Sequence, residues 1–271
     1  MSYRLIAFDM DGTLLDSKKR ISDKVLEAME LAANKGKLIA LSTGRSLAEL
    51  VDYMPVLKHV RYMSLVSGGH VYDSFEKRFI YRSVMSDEII HRLFETSKLE
   101  DTMIQMQTEG TILNRHKVEI MEHFQIAVYK EMFKKVGTLV DDEFAYYDRE
   151  HPGVVKLNIY HTDSVARERT KARLRDLDTE QIYSEVTSLE FTNRGVSKGS
   201  GLVNLCKSIG IDPSEAICVG DAENDIPALK AAGLGIAMGN ASQKVKDAAG
   251  AVVSDNDHDG CAEAIMKYLL G

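Results

Sequence analysis

The chain of 271 residues has only three cysteines, Cys206, Cys218 and Cys261, and no two of them form a CxxC pair. A zinc knuckle and a disulfide scaffold are excluded as organising features, and reduced, cytoplasmic surroundings are expected. Positive charge is also short: 34 Lys and Arg against 41 Asp and Glu leave a formal charge of -7. Nucleic-acid backbones need clustered cations, so no nucleic-acid partner is expected. No apolar run reaches the roughly 18 residues that a membrane span needs. The N-terminus enters a strand-like run without a basic and then apolar leader, so neither a membrane partner nor export is expected. Walker A, HExxH and internal repeats are likewise missing. What remains is ordinary for a globular chain, long enough to bury the core of one large domain or two smaller ones.

Leu5-Ile6-Ala7 reads as a buried strand that runs into Phe8-Asp9-Met10-Asp11-Gly12-Thr13-Leu14. Ser22 then caps a helix with Val25, Met29 and Ala32 at helical spacing, ending at Gly36. The short apolar run 38–41 is a second buried strand, stopping at Ser42-Thr43-Gly44-Arg45. Strand, helix, strand is the unit of a parallel sheet. A helix over 46–57, a third strand over 62–66 ending at Ser67-Gly68-Gly69, and a hairpin through Val71-Tyr72 and Phe79-Ile80-Tyr81 follow. From residue 83 to 189 the texture turns more polar and aromatic, with short alternating strands (103–106, 156–160) between helical patterns (87–99, 163–177). Beyond it a helix over 198–209, a strand before Gly220-Asp221, a helix over 224–232 and strands over 234–238 and 251–253 restore the first texture. The expected fold class is α/β: a Rossmann-like parallel-sheet core, residues 1–82 and 190–271, with an inserted α+β domain at 83–189.

Asp9 and Asp11, two residues apart at a strand end, point to the same side. The carboxyl ends of parallel strands share one edge, which is expected to bring Asp9, Asp11, Thr43, Gly44, Ser67, Gly68, Asp221, Asn224 and Asp225 together. Each pair of carboxylates at about 4 Å repels by about 4 kcal/mol at an effective dielectric near 20. A divalent ion with oxygen ligands relieves this, and Mg2+ is the expected one. The same repulsion, worth roughly three pKa units, would hold a proton on Asp11 near neutral pH and make it a general acid. Taken singly, each residue has a plainer reading. Asp11-Gly12 can end a strand, Thr43 can cap a helix, and Lys198 can be a solvated charge. Convergence of the whole set argues otherwise.

Asp9-Met10-Asp11-Gly12-Thr13-Leu14, Thr43-Gly44-Arg45, Lys198 within Gly195-Val196-Ser197-Lys198-Gly199, and Gly220-Asp221-Ala222-Glu223-Asn224-Asp225 resemble, in order and spacing, motifs one to four of the haloacid dehalogenase superfamily. With an insertion after the third strand, the chain resembles the Cof-type phosphatases with a C2 cap. Ser67-Gly68-Gly69 departs from the Asn-Gly-Ala common there. The resemblance implies a Mg2+-dependent hydrolase of small phosphomonoesters, sugar phosphates or phosphorylated cofactors, whose cap closes over the substrate. It also implies roles. Asp9 would attack phosphorus and form an aspartyl-phosphate, and Asp11 would protonate the leaving oxygen and then activate water. Asp9, the Asp11 main chain, Asp221 and Asp225 would hold the metal, while Met10, Thr43, Gly44, Lys198 and Asn224 would hold the phosphoryl oxygens. Expected partners are a small phosphorylated metabolite and, at most, a second copy of the chain, as monomer or homodimer. Two rivals stand beside this reading. A sugar-phosphate mutase would use the same aspartyl-phosphate. A serine hydrolase would use the GxSxG match at 195–199, followed by Asp221 and His258 in triad order.

Overall fold

The apolar run Leu5–Phe8 forms β1, the central strand of the computed structural model, which describes residues 3–271. All of β1 is buried, as a continuous apolar run between two parallel neighbours requires. β2 (Leu38–Ser42), β3 (Tyr62–Leu65), β4 (His70–Asp73) and β5 (Arg78–Arg82) follow. β6 (Thr102–Gln107), β7 (Thr111–Asn114), β8 (Gly137–Val140), β9 (Lys156–His161), β10 (Thr179–Ile182) and β11 (Ser188–Asn193) make a second sheet. β12 (Ala216–Gly220), β13 (Leu234–Ala237) and β14 (Ala251–Val252) return to the first.

Two units result. One comprises residues up to Arg45 with Asp52–Arg82 and Val196–Gly271, and its sheet has the order β14-β13-β12-β1-β2-β3-β4-β5. The other comprises Ser46–Val51 and Ser83–Gly195, with the order β10-β11-β9-β6-β7-β8. The insertion runs to Gly195, past the expected boundary at 189/190, because β11 pairs antiparallel with β9 as part of the second sheet.

In the first unit β1 lies parallel between β2 and β12, with Phe8 level with Leu41 on one side and Val219 on the other. Asp9, Thr43 and Asp221 therefore leave their strands at one edge. The helix Lys198–Ile209 is fixed there by its first turn. Ser197 accepts the Ser200 amide at 3.2 Å and its own amide is bonded by the Ser200 hydroxyl, a reciprocal cap. A Cβ on Gly201 would lie 2.3 Å from Ser64 Oγ and 2.6 Å from Gly68 Cα, so only glycine lets the helix press on the end of β3. Leu202, Leu205 and Cys206 then bury against Leu5, Ala7, Tyr62 and Val71. Each leucine contributes about 2 kcal/mol of transfer free energy at that seam.

Two local expectations are corrected. The stretch 46–57 is not one helix: Ala48–Leu50 forms a short 3-10 turn, and the bonds of Glu49, Leu50, Val51 and Val56 reach back three residues. Pro55 has no N–H to offer Val51, which breaks an α-helical ladder. β3 stops at Leu65 rather than Val66, because Val66 and Ser67 are left-handed, with φ of 54° and 56°. For a β-branched residue that conformation is strained, and it sits beside the functional edge.

In the second unit Ile104, Met106, Leu157, Ile159, Leu189 and Phe191 share one face of the sheet and pack with Ile90, Leu93 and Phe94 of the helix Asp87–Ser97. Among the described residues no helix is long and apolar enough to cross a membrane.

Candidate active site

Asp9 follows β1 directly and its amide bonds to Val219 O at 3.0 Å, which ties the residue to β12. Lys198, the first residue of its helix, reaches in from the side: Nζ donates to Asp9 Oδ1 and to Asp225 Oδ1, both at 2.6 Å. All three side chains are buried. Asp225 in turn accepts the amides of Asp221 and Ala222, each at 3.0 Å, so one carboxylate both shapes the turn after β12 and orients the lysine. Asp221 accepts the Thr13 hydroxyl at 2.7 Å, joining the first and last motifs. Gly12, at φ 83°, faces Asp221 so closely that a Cβ there would lie 2.4 Å from Oδ2.

Oxygens of Asp9, Asp221 and Asp225 lie within 4.8 Å of one another, a set of hard donors. Such a set suits Mg2+, which is bound by carboxylate oxygens together with waters and phosphate. The electrostatics point the same way. Burial pushes the Asp9 carboxyl up to about 7, although Lys198 opposes it, and burial raises Asp221 despite the Thr13 hydroxyl. These groups are short of positive charge. Burial alone would depress the Lys198 ammonium, but Asp9 and Asp225 outweigh it and hold the proton firmly.

Asp11 behaves differently from expectation. Its carboxylate is not in that cluster: Oδ2 accepts Arg45 Nε at 2.8 Å, and Oδ1 accepts Arg45 Nη2 at 2.9 Å and Lys19 Nζ at 2.8 Å. Burial works the other way, yet the two cations hold Asp11 below the usual carboxylate range, so it is ionised rather than protonated at neutral pH. Repulsion from Asp9 is answered by a bidentate arginine, not by a proton. Sequence reasoning left Arg45 and Thr13 without a task and missed Lys19 altogether. Lys19 carried no local signal, since a left-handed lysine (φ 59°) held by the Asp16 turn is visible only in three dimensions.

The remaining expected residues lie on the same edge. Thr43 is buried, and its amide donates to Ser64 O while its hydroxyl accepts the Arg45 amide. Gly44 is half-buried, and Met10 sits between the two aspartates with its amide turned to the Asp9 carboxylate and its side chain buried. Asn224 is exposed on the turn that carries Asp225. The serine triad does not form. Ser197 Oγ is the helix cap, Asp221 is bonded to Thr13, and His258 is bonded to Asp255 at 2.6 Å.

Carboxylates gathered around a buried lysine on a Rossmann-like sheet define a carboxylate-centred α/β enzyme. The sequence model of the haloacid dehalogenase-like hydrolases matches residues 6–265, and the chain belongs to that family. It is 28% identical over 267 residues to 5-amino-6-(5-phospho-D-ribitylamino)uracil phosphatase YcsE of Bacillus subtilis, covering 98% of this chain and 96% of that protein. It is 25% identical over 281 residues to pyridoxal phosphate phosphatase YbhA of Escherichia coli, covering the whole of both. The crystal structure of a haloacid dehalogenase-like hydrolase from Bacteroides thetaiotaomicron superposes with a TM-score of 0.85 at 28% identity, over 98% of this chain and 99% of the other. The chain is accordingly a Cof-type phosphatase, a phosphoric monoester hydrolase.

Proposed function

We propose that the chain hydrolyses small phosphomonoesters, phosphorylated sugars or phosphorylated cofactors, through an aspartyl-phosphate on Asp9, with the inserted unit as its cap. The observation that carries this reading is the Lys198 ammonium bridging Asp9 and Asp225 beside Asp221. The named substrates of the two phosphatases above, a phosphoribitylamino-uracil and pyridoxal phosphate, support the class of small phosphorylated metabolite.

Asp9 is the nucleophile because its buried carboxylate stands at the strand end, fixed by Lys198. A carboxylate is a weak nucleophile, so orientation and neutralised charge supply most of the catalysis. Lys198, Thr43, the Met10 and Gly44 amides and Asn224 hold the phosphoryl oxygens. Mg2+, held by Asp9, Asp221, Asp225 and the Asp11 main-chain carbonyl, would neutralise charge on the phosphoryl group when bound. Asp11 gives a proton to the leaving oxygen and later takes one from the water that attacks the aspartyl-phosphate. As observed, ionised on Arg45 and Lys19, it is ready for the second task; the first requires it to leave those partners and carry a proton.

The test is phosphate release from a panel of sugar and cofactor phosphates, with Mg2+ and with chelator, using wild type and Asp9→Asn. Metal-dependent release by wild type and none by Asp9→Asn is expected. Wild-type rates in Asp9→Asn, or release indifferent to chelator, would refute the proposal.

A further inference from the structure

The turns after β13 and β14 leave the first sheet at the same edge as Asp9 and Asp221, and the proposed chemistry gives them no task. They press together: a Cβ on Gly239 would lie 2.8 Å from the Asp255 amide nitrogen, and the Gly239 amide donates to Ser254 O at 3.2 Å. From these turns, and from Cys261 just beyond the second, side chains reach the main chain that follows Asp11. Asn240 Nδ2 donates to Gly12 O at 2.8 Å, Cys261 Sγ to Thr13 O at 3.3 Å and Asn256 Nδ2 to Leu15 O at 2.9 Å, while Asp257 Oδ1 accepts the Ser17 amide at 2.8 Å. The two asparagines are joined, since Asn240 Oδ1 accepts the Asn256 amide at 3.3 Å. One continuous chain of bonds thus spans the loop from Gly12 to Leu15.

Asn240 is exposed, so burial does not explain its place. What it holds is the loosest joint of the loop. Gly12, at φ 83°, has the most backbone freedom there, and the peptide units on either side of it carry the Asp11 and Gly12 carbonyls. Fixing the second limits the directions open to the first. A side chain that donates to one backbone carbonyl and accepts a backbone amide beside it has to be an amide, because a carboxylate has no proton to give. We infer that Asn240 and Asn256 are positioning residues of the metal site: they act through the Gly12–Leu15 main chain to set the Asp11 carbonyl, and with it the affinity for Mg2+. The inference rests on the phosphatase reading above, which gives that carbonyl to the metal, and it adds residues from the far end of the chain. Thr13, within the same loop, carries the hydroxyl bonded to Asp221, so a loop that drifts disturbs two of the metal's oxygens.

The experiment measures Mg2+ binding to the full chain by titration calorimetry without substrate, together with urea unfolding in chelator. Asn240→Asp keeps the acceptor for Asn256 but turns a carboxylate oxygen on the Gly12 carbonyl, so Mg2+ should bind about tenfold more weakly; Asn240→Ala and Asn256→Ala should each weaken it about threefold. Urea midpoints should stay within about 0.5 M of wild type. An added carboxylate that acted merely through its charge would tighten Mg2+ binding instead. Tighter or unchanged binding in Asn240→Asp, or a loss of affinity matched by a fall in the urea midpoint, would overturn the inference. Phosphate release separates its failure from that of the phosphatase reading, because the half-saturating Mg2+ concentration should shift by the same factors. Metal-dependent release by wild type, with the same half-saturating Mg2+ in all three variants, overturns the positioning roles alone. Wild type that neither binds Mg2+ nor releases phosphate overturns both.

Discussion

Replacing the buried Asp9 with Asn should make the metal-free protein more stable. Burial lifts the folded-state pKa of Asp9 from 3.8 to about 7, Lys198 notwithstanding. Between those values the folded chain holds a proton that the unfolded chain has released. Stability therefore falls as pH rises through that window and stays low above it. At 1.36 kcal/mol per unit the penalty is about 4 kcal/mol at most. Asn keeps the shape without the charge, and Lys198 retains Asp225 as its partner. In chelator, urea unfolding at about pH 8 should place Asp9→Asn about 2 to 4 kcal/mol above wild type. Near pH 4 the gap should almost close, and Mg2+ should narrow it at pH 8 by stabilising wild type more. A variant less stable than wild type at pH 8, or a gap indifferent to pH, would refute the reasoning that desolvation dominates this site.

Lys198→Met leaves Asp9 and Asp225 buried without their cation, so it should cost about 3 kcal/mol or more of stability by urea unfolding and abolish phosphate release. Gly12→Ala forces a methyl group to within 2.4 Å of Asp221 at φ 83°, and titration calorimetry should show Mg2+ affinity at least about tenfold weaker. Ser197→Ala removes only a helix cap: about 1 kcal/mol in thermal unfolding, with turnover within about threefold of wild type. Loss of all activity in that variant would restore the serine reading.

The core was legible because its chemistry is written at strand ends. Asp9, Thr43 and Asp221 each follow a short apolar run, and runs of that kind pair in parallel with little choice of register. The reach of Lys198 was not: it depends on Gly201 admitting the helix against Ser64 and Gly68, a contact between residues more than a hundred positions apart. Asp11 was misread for a related reason. Its repulsion from Asp9 was visible locally, whereas the partners that answer it, Arg45 and Lys19, come from separate turns. In the second unit β6 and β9 stood out by alternation, but β7, β8 and β10 are four residues each and carry too little pattern. The left-handed Val66 runs against its own side-chain preference, and only the fold imposes it.

The central claim, that phosphorus passes through Asp9, has a direct test. Wild type is mixed with substrate and Mg2+, quenched in acid within one turnover, and reduced with borohydride, which converts an acyl phosphate to an alcohol. Mass spectrometry of the digest should find the reduced side chain in the peptide carrying Asp9 and in no other. An unmodified Asp9 peptide under conditions where the leaving alcohol has been released in a full burst ahead of phosphate, or the label on Asp11 instead, would contradict the account.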